Sequence, residues 1–198
     1  MAISKELNEV EMKIVLASKS PRRREILSMV LPDFEIRVSD ADEGISNIDI
    51  MDVPRVLSIR KAQAVEIKEN EIIIGCDTVV IHNGEILGKP KDDNEAIDML
   101  KKLSDTTHLV VSGICVKSKD KEYSTSCTTS VKMRALTDSE MNSYVNRFHP
   151  TDKAGAYGIQ EMAGAFVEKI DGDFYNVVGL PLCMLCQILK NEFNVDIF

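Results

Sequence analysis

Three consecutive arginines, Arg22, Arg23 and Arg24, follow Ser20-Pro21 in the stretch LASKSPRRREIL, residues 16–27. Ser20 suits a helix N-cap and Pro21 the first helical position, which puts the arginines in a first helical turn. Unpaired N–H groups make that end of a helix partly positive, so cations are disfavoured there. Beside a chain of phosphates the sign reverses. Strand, short loop and helix start aim N–H groups at an anion, and the planar guanidinium binds phosphate oxygens in pairs. The cluster therefore points to a polyphosphate, in a loop without the glycines of a P-loop. A solvated basic patch or a localisation-type basic run is the competing reading.

A second chemical signal lies in GCDTVV (75–80), where Asp77 interrupts an apolar, β-branched run. A carboxylate inside a buried strand must be paired, bind metal or do chemistry, unless it marks a bulge or turn. Thr78 beside it offers a hydroxyl. Lys89, in LGKPKD (87–92), could reach phosphates at the base of the same hairpin, whereas Lys61 in IRKAQA has the default reading of a solvated helix residue. SDADEG (39–44) supplies Asp40, Asp42 and Glu43, either ligands for a Mg²⁺-like ion or an acidic loop. In DKAGAYGIQ (152–160), Gly155 and Gly158 let backbone approach a ligand, Tyr157 could stack, and the Gln160 amide can read a base edge. A glycine-bearing turn is the plainer alternative there.

The elements that must carry these groups follow from periodicity. KIVLA (13–17) predicts a buried strand, with a helix from Pro21 to about Val30 and a second strand over FEIRV (34–38). Asp52 and Pro54 open a helix running to about Lys68. Residues 72–90 read as a hairpin turning at Asn83-Gly84. NEAIDMLKKLS (94–104) places Ala96, Met99, Leu100 and Leu103 on one helical face. Residues 108–116 and 123–136 form a second, longer hairpin, and Thr137 with Glu140 makes a capping box for the next helix. AFVEKI and FYNVV read as strands flanking DGD (171–173), and a last helix starts near Pro181. The mixture predicts an α/β fold with a mixed, long, curved sheet flanked by helices.

Composition limits the functions. The chain has 198 residues, with 24 Lys+Arg against 32 Asp+Glu and a net charge of −8. A field that acidic does not hold a nucleic acid polymer, so an anionic ligand must be caught by a local pocket. No apolar run approaches the roughly 20 residues that span a bilayer. The opening MAISKELNEVEM is polar and acidic, unlike a signal or transit peptide, and a cytoplasmic protein is expected. Five cysteines argue against a disulfide framework. Cys183 and Cys186 have redox or half-zinc-site spacing, but their apolar surroundings favour buried thiols.

Taken in order, SKSPRRREIL, SDADE, RKAQA, GCDTVV, LGKP, AIDMLKKLS, DKAGAYGIQ and DGDFYNVVGLP resemble the Maf family of nucleoside triphosphate pyrophosphatases, from about Lys13 to Leu189. DKAGAYGIQ and NVVGLPL look most like the subfamily acting on dTTP and UTP, rather than on 7-methyl-GTP. The resemblance implies one Maf-like domain over 1–198, with residues 1–12 as a polar extension. It implies two lobes around a central nucleotide cleft, related to the inosine-triphosphate pyrophosphatases. It further implies hydrolysis of the α–β phosphate bond with Mg²⁺ or Mn²⁺, giving a nucleoside monophosphate and pyrophosphate. Asp77 then matches the general base, and Glu43 with Asp77 the acidic catalytic or metal-linked positions. Lys61 and Lys89 match catalytic positions on the phosphates. Ser18, Arg22, Arg23, Thr78 and Gln160 match substrate-binding positions, with Arg22, Thr78 and Gln160 tied to substrate choice. Relatives are often homodimers and are associated with arrest of cell division and septation.

Departures from the family pattern are His149 before Pro150, Asp105 after Leu103-Ser104, and Cys76 beside Asp77. His149 bears on substrate preference or metal binding. The alternative function is a nucleotide-binding regulator of septation with little turnover. Retention of both Asp77 and Glu43 favours catalysis, since a sensor needs no base. A thiol-redox role for Cys183 and Cys186 is the third reading.

Overall fold

The computed structural model describes residues 12–38 and 40–197. The polar extension expected over 1–12 therefore lies, Met12 apart, outside the described residues. In chain order the elements are β1 (Lys13–Leu16), α1 (Pro21–Ser28), β2 (Glu35–Ile36), α2 (Val53–Gln63), β3 (Glu71–His82), β4 (Glu85–Leu87), α3 (Asp93–Leu103) and β5 (Thr107–Lys117). They continue as β6 (Glu122–Met133), α4 (Asp138–Phe148), β7 (Val167–Asp171), α5 (Phe174–Val178) and α6 (Leu182–Phe193), with 3-10 turns at Ala154–Ala156 and Met162–Phe166.

The sheet is mixed, as expected. Its order is β2-β1-β3-β5-β6-β7, with β4 also paired to β3. β1 runs parallel to β2 and β3, and every other pairing is antiparallel. β3 is buried along its whole length except at Thr78, which explains its unbroken apolar run: a central strand covered on both faces shows no alternation.

Two neighbours of β3 share one of its edges without meeting. β1 pairs with β3 from Glu71 to Ile74, and β4 takes over only at Val80. Between them, residues 75–79 keep β5 on one side and, among the described residues, no strand on the other. This breach in the sheet edge is where Asp77 and Thr78 fall.

Two of the four core clusters meet along one face of the same strand. Ile72, Ile74 and Cys76 pack with Ile26 and Leu27 of α1 and Leu185 and Leu189 of α6. Val80 packs with Leu100 and Leu103 of α3, Tyr144 and Val145 of α4, and Phe166. Each such fully buried aliphatic side chain contributes about 1.5–3 kcal/mol. β3 thus passes from one core cluster to the other, with Asp77 and Thr78 at the crossing.

Helix α2 lies on the opposite flank of this crossing because two glycines let it approach. A Cβ at Gly75 would collide with the Ser58 carbonyl oxygen, and one at Gly113 with that of Pro54. Gly113 pairs with Asp77 across the ladder, and Gly75 stands two residues from Asp77, so all three share one sheet face. Lys61 on α2 is thereby brought over Asp77.

Several expected elements differ. FYNVV is helix α5, not a strand: the Asp173 carboxylate accepts from the N–H groups of Tyr175 and Asn176, and this cap outweighs the β-branched run. The strand expected over 34–38 keeps only Glu35–Ile36, and α2 ends at Gln63 rather than Lys68. AFVEKI begins as a 3-10 turn before entering β7. The Thr137–Glu140 capping box is present, but neither Ser20 nor Asp52 caps its helix with its side chain.

Candidate active site

A cleft of about 1130 Å³ opens at the breach, and Ser18, Arg22, Arg23, Glu43, Lys61, Asp77, Thr78, Lys89 and Gln160 all line it. On one side, β1 gives way to the loop that starts α1. The Ser20 N–H donates to the Ser18 hydroxyl at 3.2 Å, and no side chain caps the first turn. Arg23 is spread flat across the crossing. Its Nε donates to the Gly179 carbonyl at 2.9 Å, Nη2 to the Thr78 hydroxyl at 3.2 Å and Nη1 to the Ser18 hydroxyl at 3.3 Å. Arg22 turns to the far wall, where Nη1 lies 2.7 Å from Asp152 Oδ2. Arg24 is exposed and does not line the cleft.

Lys61 joins the two acids. Its Nζ lies 2.5 Å from Asp77 Oδ1 and 2.9 Å from Glu43 Oε1. Asp77 is nearly buried, whereas Glu43 is exposed on the long loop between β2 and α2. Arg60 holds that loop by donating to the carbonyl oxygens of Asp42 and Gly44, which flank Glu43. Bonding to Lys61, with Lys89 and Lys19 adding at longer range, lowers the Glu43 pKa. Burial of the Lys61 ammonium opposes its charge, but the Asp77 carboxylate and the bonds to Asp77 and Glu43 outweigh it, and its pKa rises. Lys61 and Glu43 thus each favour the charged form of the other.

The opposite wall comes from Lys89 after β4 and from residues 152–160. These are tied together where the Gly155 N–H donates to the Gly88 carbonyl at 3.0 Å. Gly155 has φ +67, and a Cβ there would press on Val80, so glycine serves both turn and packing. Gln160 is exposed at the cleft and Lys89 likewise. Tyr157 is not free to stack: it is buried, and its hydroxyl bonds to His108 Nε2 at 2.8 Å.

Some residues raised by the sequence lie elsewhere. Asp42 accepts from the Gly44 N–H, and neither it nor Asp40 lines the cleft. His149 is the left-handed C-cap of α4, exposed and bonded to Asp93 at 2.9 Å, away from the cleft. No cysteine lines the cleft, and the thiols expected to be buried are not: Cys183 is exposed and Cys186 half-buried, partial burial still raising the Cys186 thiol pKa.

Other cleft residues were passed over in the sequence. Lys153 is buried with Nζ 2.8 Å from Asp152 Oδ1 and 3.1 Å from Glu161 Oε1, and the Gly179 carbonyl collects donors from Arg23, Thr78 and Cys76. A charged residue set directly against the small apolar run Ala154-Gly155-Ala156 was the available signal for Lys153.

Of the carboxylates lining the cleft, Asp77 and Glu43 share Lys61, and among the described residues no cluster of three His, Cys, Asp or Glu could hold a metal. Hard oxygens from Asp77 and Glu43 suit Mg²⁺ or Mn²⁺ when substrate phosphates and water complete the shell.

Fold and cleft together define a mixed α/β protein with cationic side chains gathered around an acid in a gap of its sheet. The chain belongs to the Maf-like protein family, whose sequence profile matches residues 13–192. A dTTP/UTP pyrophosphatase of Clostridium novyi (strain NT) is 50% identical over 183 residues, covering 89% of this chain and 96% of the relative. Similar matches are found to dTTP/UTP pyrophosphatases of Thermosipho africanus (strain TCF52B), 44% identical over 185 residues (93% and 96% covered), and Thermoanaerobacter sp. (strain X514), 47% over 188 residues (93% and 98% covered). A solved HAM1 protein from Coxiella burnetii superposes with a TM-score of 0.42 at 15% identity, over 62% of this chain and 73% of that chain. Among the described residues no helix is long and apolar enough to cross a membrane.

Proposed function

We propose that this chain hydrolyses dTTP and UTP between the α and β phosphorus atoms, releasing the nucleoside monophosphate and pyrophosphate. One observation carries the reading: Lys61 Nζ sits between Asp77 and Glu43 in the same cleft as Arg22, Arg23 and Lys89. The relatives named above bear the same activity in their names.

A triphosphate brings about four negative charges, and phosphoryl transfer is mostly positioning and charge neutralisation. The α1 start, Arg22, Arg23, Lys61 and Lys89 would supply that neutralisation. Lys61 fixes Asp77 by Oδ1, which leaves Oδ2 to take a proton from water as its oxygen attacks the α-phosphorus. The bond to the bridging oxygen then breaks and pyrophosphate leaves with that oxygen. A divalent cation held by Asp77 or Glu43 would supply Lewis-acid polarisation of the phosphate oxygens. At the other end, the Gln160 amide has donor and acceptor to match the O4/N3–H edge of thymine or uracil.

The test is pyrophosphate release from a panel of dTTP, UTP, GTP and 7-methyl-GTP with Mg²⁺ or Mn²⁺. dTTP and UTP should be the best substrates. The reverse ranking overturns the substrate assignment, and nucleotide binding without turnover leaves a binding protein instead.

A further inference from the structure

Arg22 and Gln160 face the same cleft, yet neither is fixed by its own surroundings. Arg22's hydrogen bonds among the described residues both end on Asp152: Nη1 to Oδ2 at 2.7 Å and Nη2 to the carbonyl oxygen at 3.4 Å. Gln160 is exposed and sits in a turn closed by the Glu161 N–H donating to the Gly158 carbonyl at 3.0 Å. Both anchors lead to one buried ammonium. Lys153, with only 9% of its side chain exposed, bonds Asp152 on the Arg22 side and Glu161 on the Gln160 side. Tyr144 secures the turn from below, accepting from the Gly158 N–H at 3.1 Å and donating to Glu161 Oε2 at 3.5 Å.

The four charges alternate in sign: Arg22, Asp152, Lys153, Glu161. Burial would disfavour the Asp152 carboxylate, but Lys153 and Arg22 hold its pKa down to about 2, so the carboxylate is charged at neutral pH. A buried ammonium shared by two carboxylates is costly to orphan, so the three groups hold one arrangement. The Lys153 stem also lies under Gly158, where a Cβ would press against it.

We propose that Lys153 is a positioning residue for nucleobase selection: its ammonium sets the spacing between Arg22 and Gln160 through Asp152 and Glu161. Its ammonium bonds Asp152 and Glu161 rather than Asp77 or Glu43, so its effect falls on which nucleotide is held rather than on bond breaking. This rests on the hydrolase reading above.

The test compares kcat and KM for dTTP, UTP, CTP and GTP in the wild type, Lys153→Met, Glu161→Gln and Asp152→Asn. Lys153→Met keeps the buried stem and deletes the ammonium. It should raise KM for dTTP and UTP, and shrink their kcat/KM advantage over CTP and GTP, each by about tenfold, with kcat for the best substrate little changed. Glu161→Gln, which loosens only the Gln160 arm, should shrink the same advantage by a smaller factor. Asp152→Asn should raise KM for all four nucleotides alike. A uniform fall in kcat with KM and ranking unchanged overturns the proposal, as does an unchanged ranking in both Lys153→Met and Glu161→Gln. Should Lys153→Met fail to fold by circular dichroism, the ranking in Glu161→Gln decides. Binding of the non-hydrolysable α,β-methylene analogues of dTTP and dGTP is measured in parallel. If the wild type binds these without turning over any nucleotide, the hydrolase reading fails while the ratio of the two affinities still tests Lys153.

Discussion

A Cβ on Gly113 would fall on the carbonyl oxygen of Pro54. That absence of a side chain on β5 lets α2 rest directly on the sheet, and α2 carries Lys61 to Asp77. Gly113→Ala should therefore act on the site from a distance. Overpacking of this kind costs about 1–3 kcal/mol, and lifting α2 should lower kcat/KM about tenfold or more. Urea denaturation and pyrophosphate release read the two effects, and full activity in a destabilised variant would uncouple them.

Arg23 should not be replaceable by lysine. Its three donating nitrogens reach Gly179, Thr78 and Ser18 in one plane, and an ammonium on a flexible stem cannot span them. Losing charged hydrogen bonds around a partly buried centre should cost about 1–3 kcal/mol in Arg23→Lys. Activity should fall with it. An Arg23→Lys variant with wild-type stability and kcat/KM would show the fork to be dispensable.

Acid should erode stability over two pH ranges. His108 is buried, and burial lowers its pKa from 6.5 to about 4. The unfolded chain takes up that proton first, so stability falls as pH drops from 6.5 towards about 4. Glu71 is buried against Arg37, whose bonds lower its pKa from 4.5 to about 2. Its contribution is complete above 4.5 and is lost as pH falls towards about 2. In urea titrations from pH 2.5 to 7, Glu71→Gln should make the lower limb shallower and keep the upper one, Asp152 and Glu140 supplying what slope remains. A variant with an unchanged lower limb would remove Glu71 from the account.

Chelation should stop the reaction without loosening the fold. Asp77 and Glu43 are both paired with Lys61, whose ammonium meets their charge within the fold. EDTA should abolish pyrophosphate release, added Mg²⁺ or Mn²⁺ should restore it, and the melting temperature without nucleotide should not move. A fall in melting temperature on chelation would indicate a structural ion instead.

The strands and most helices were legible because their signals are local. The apolar run of β3, the Asn83-Gly84 turn and the Thr137–Glu140 box each act within a few residues. FYNVV misled because its β-branched residues spoke for a strand while the cap at Asp173 spoke for a helix. Asp77 stood out as a carboxylate in an apolar strand. The breach that opens β3 to solvent did not, because it depends on where β1 ends and β4 begins in space. Lys153 escaped for a similar reason: its partners become visible only when residues 152–161 fold over β3. The glycines at 75 and 113 looked ordinary until α2 was seen lying on them.

The most direct test of the whole account is Asp77→Asn, which keeps the shape and removes the charge that faces Lys61. Pyrophosphate release from dTTP should fall by about 10²–10⁴, the usual worth of a general base, while the affinity for the α,β-methylene analogue changes only a few-fold. Release by Asp77→Asn at the wild-type rate would contradict the account, because the acid in the sheet breach would then not be the group that accepts the proton.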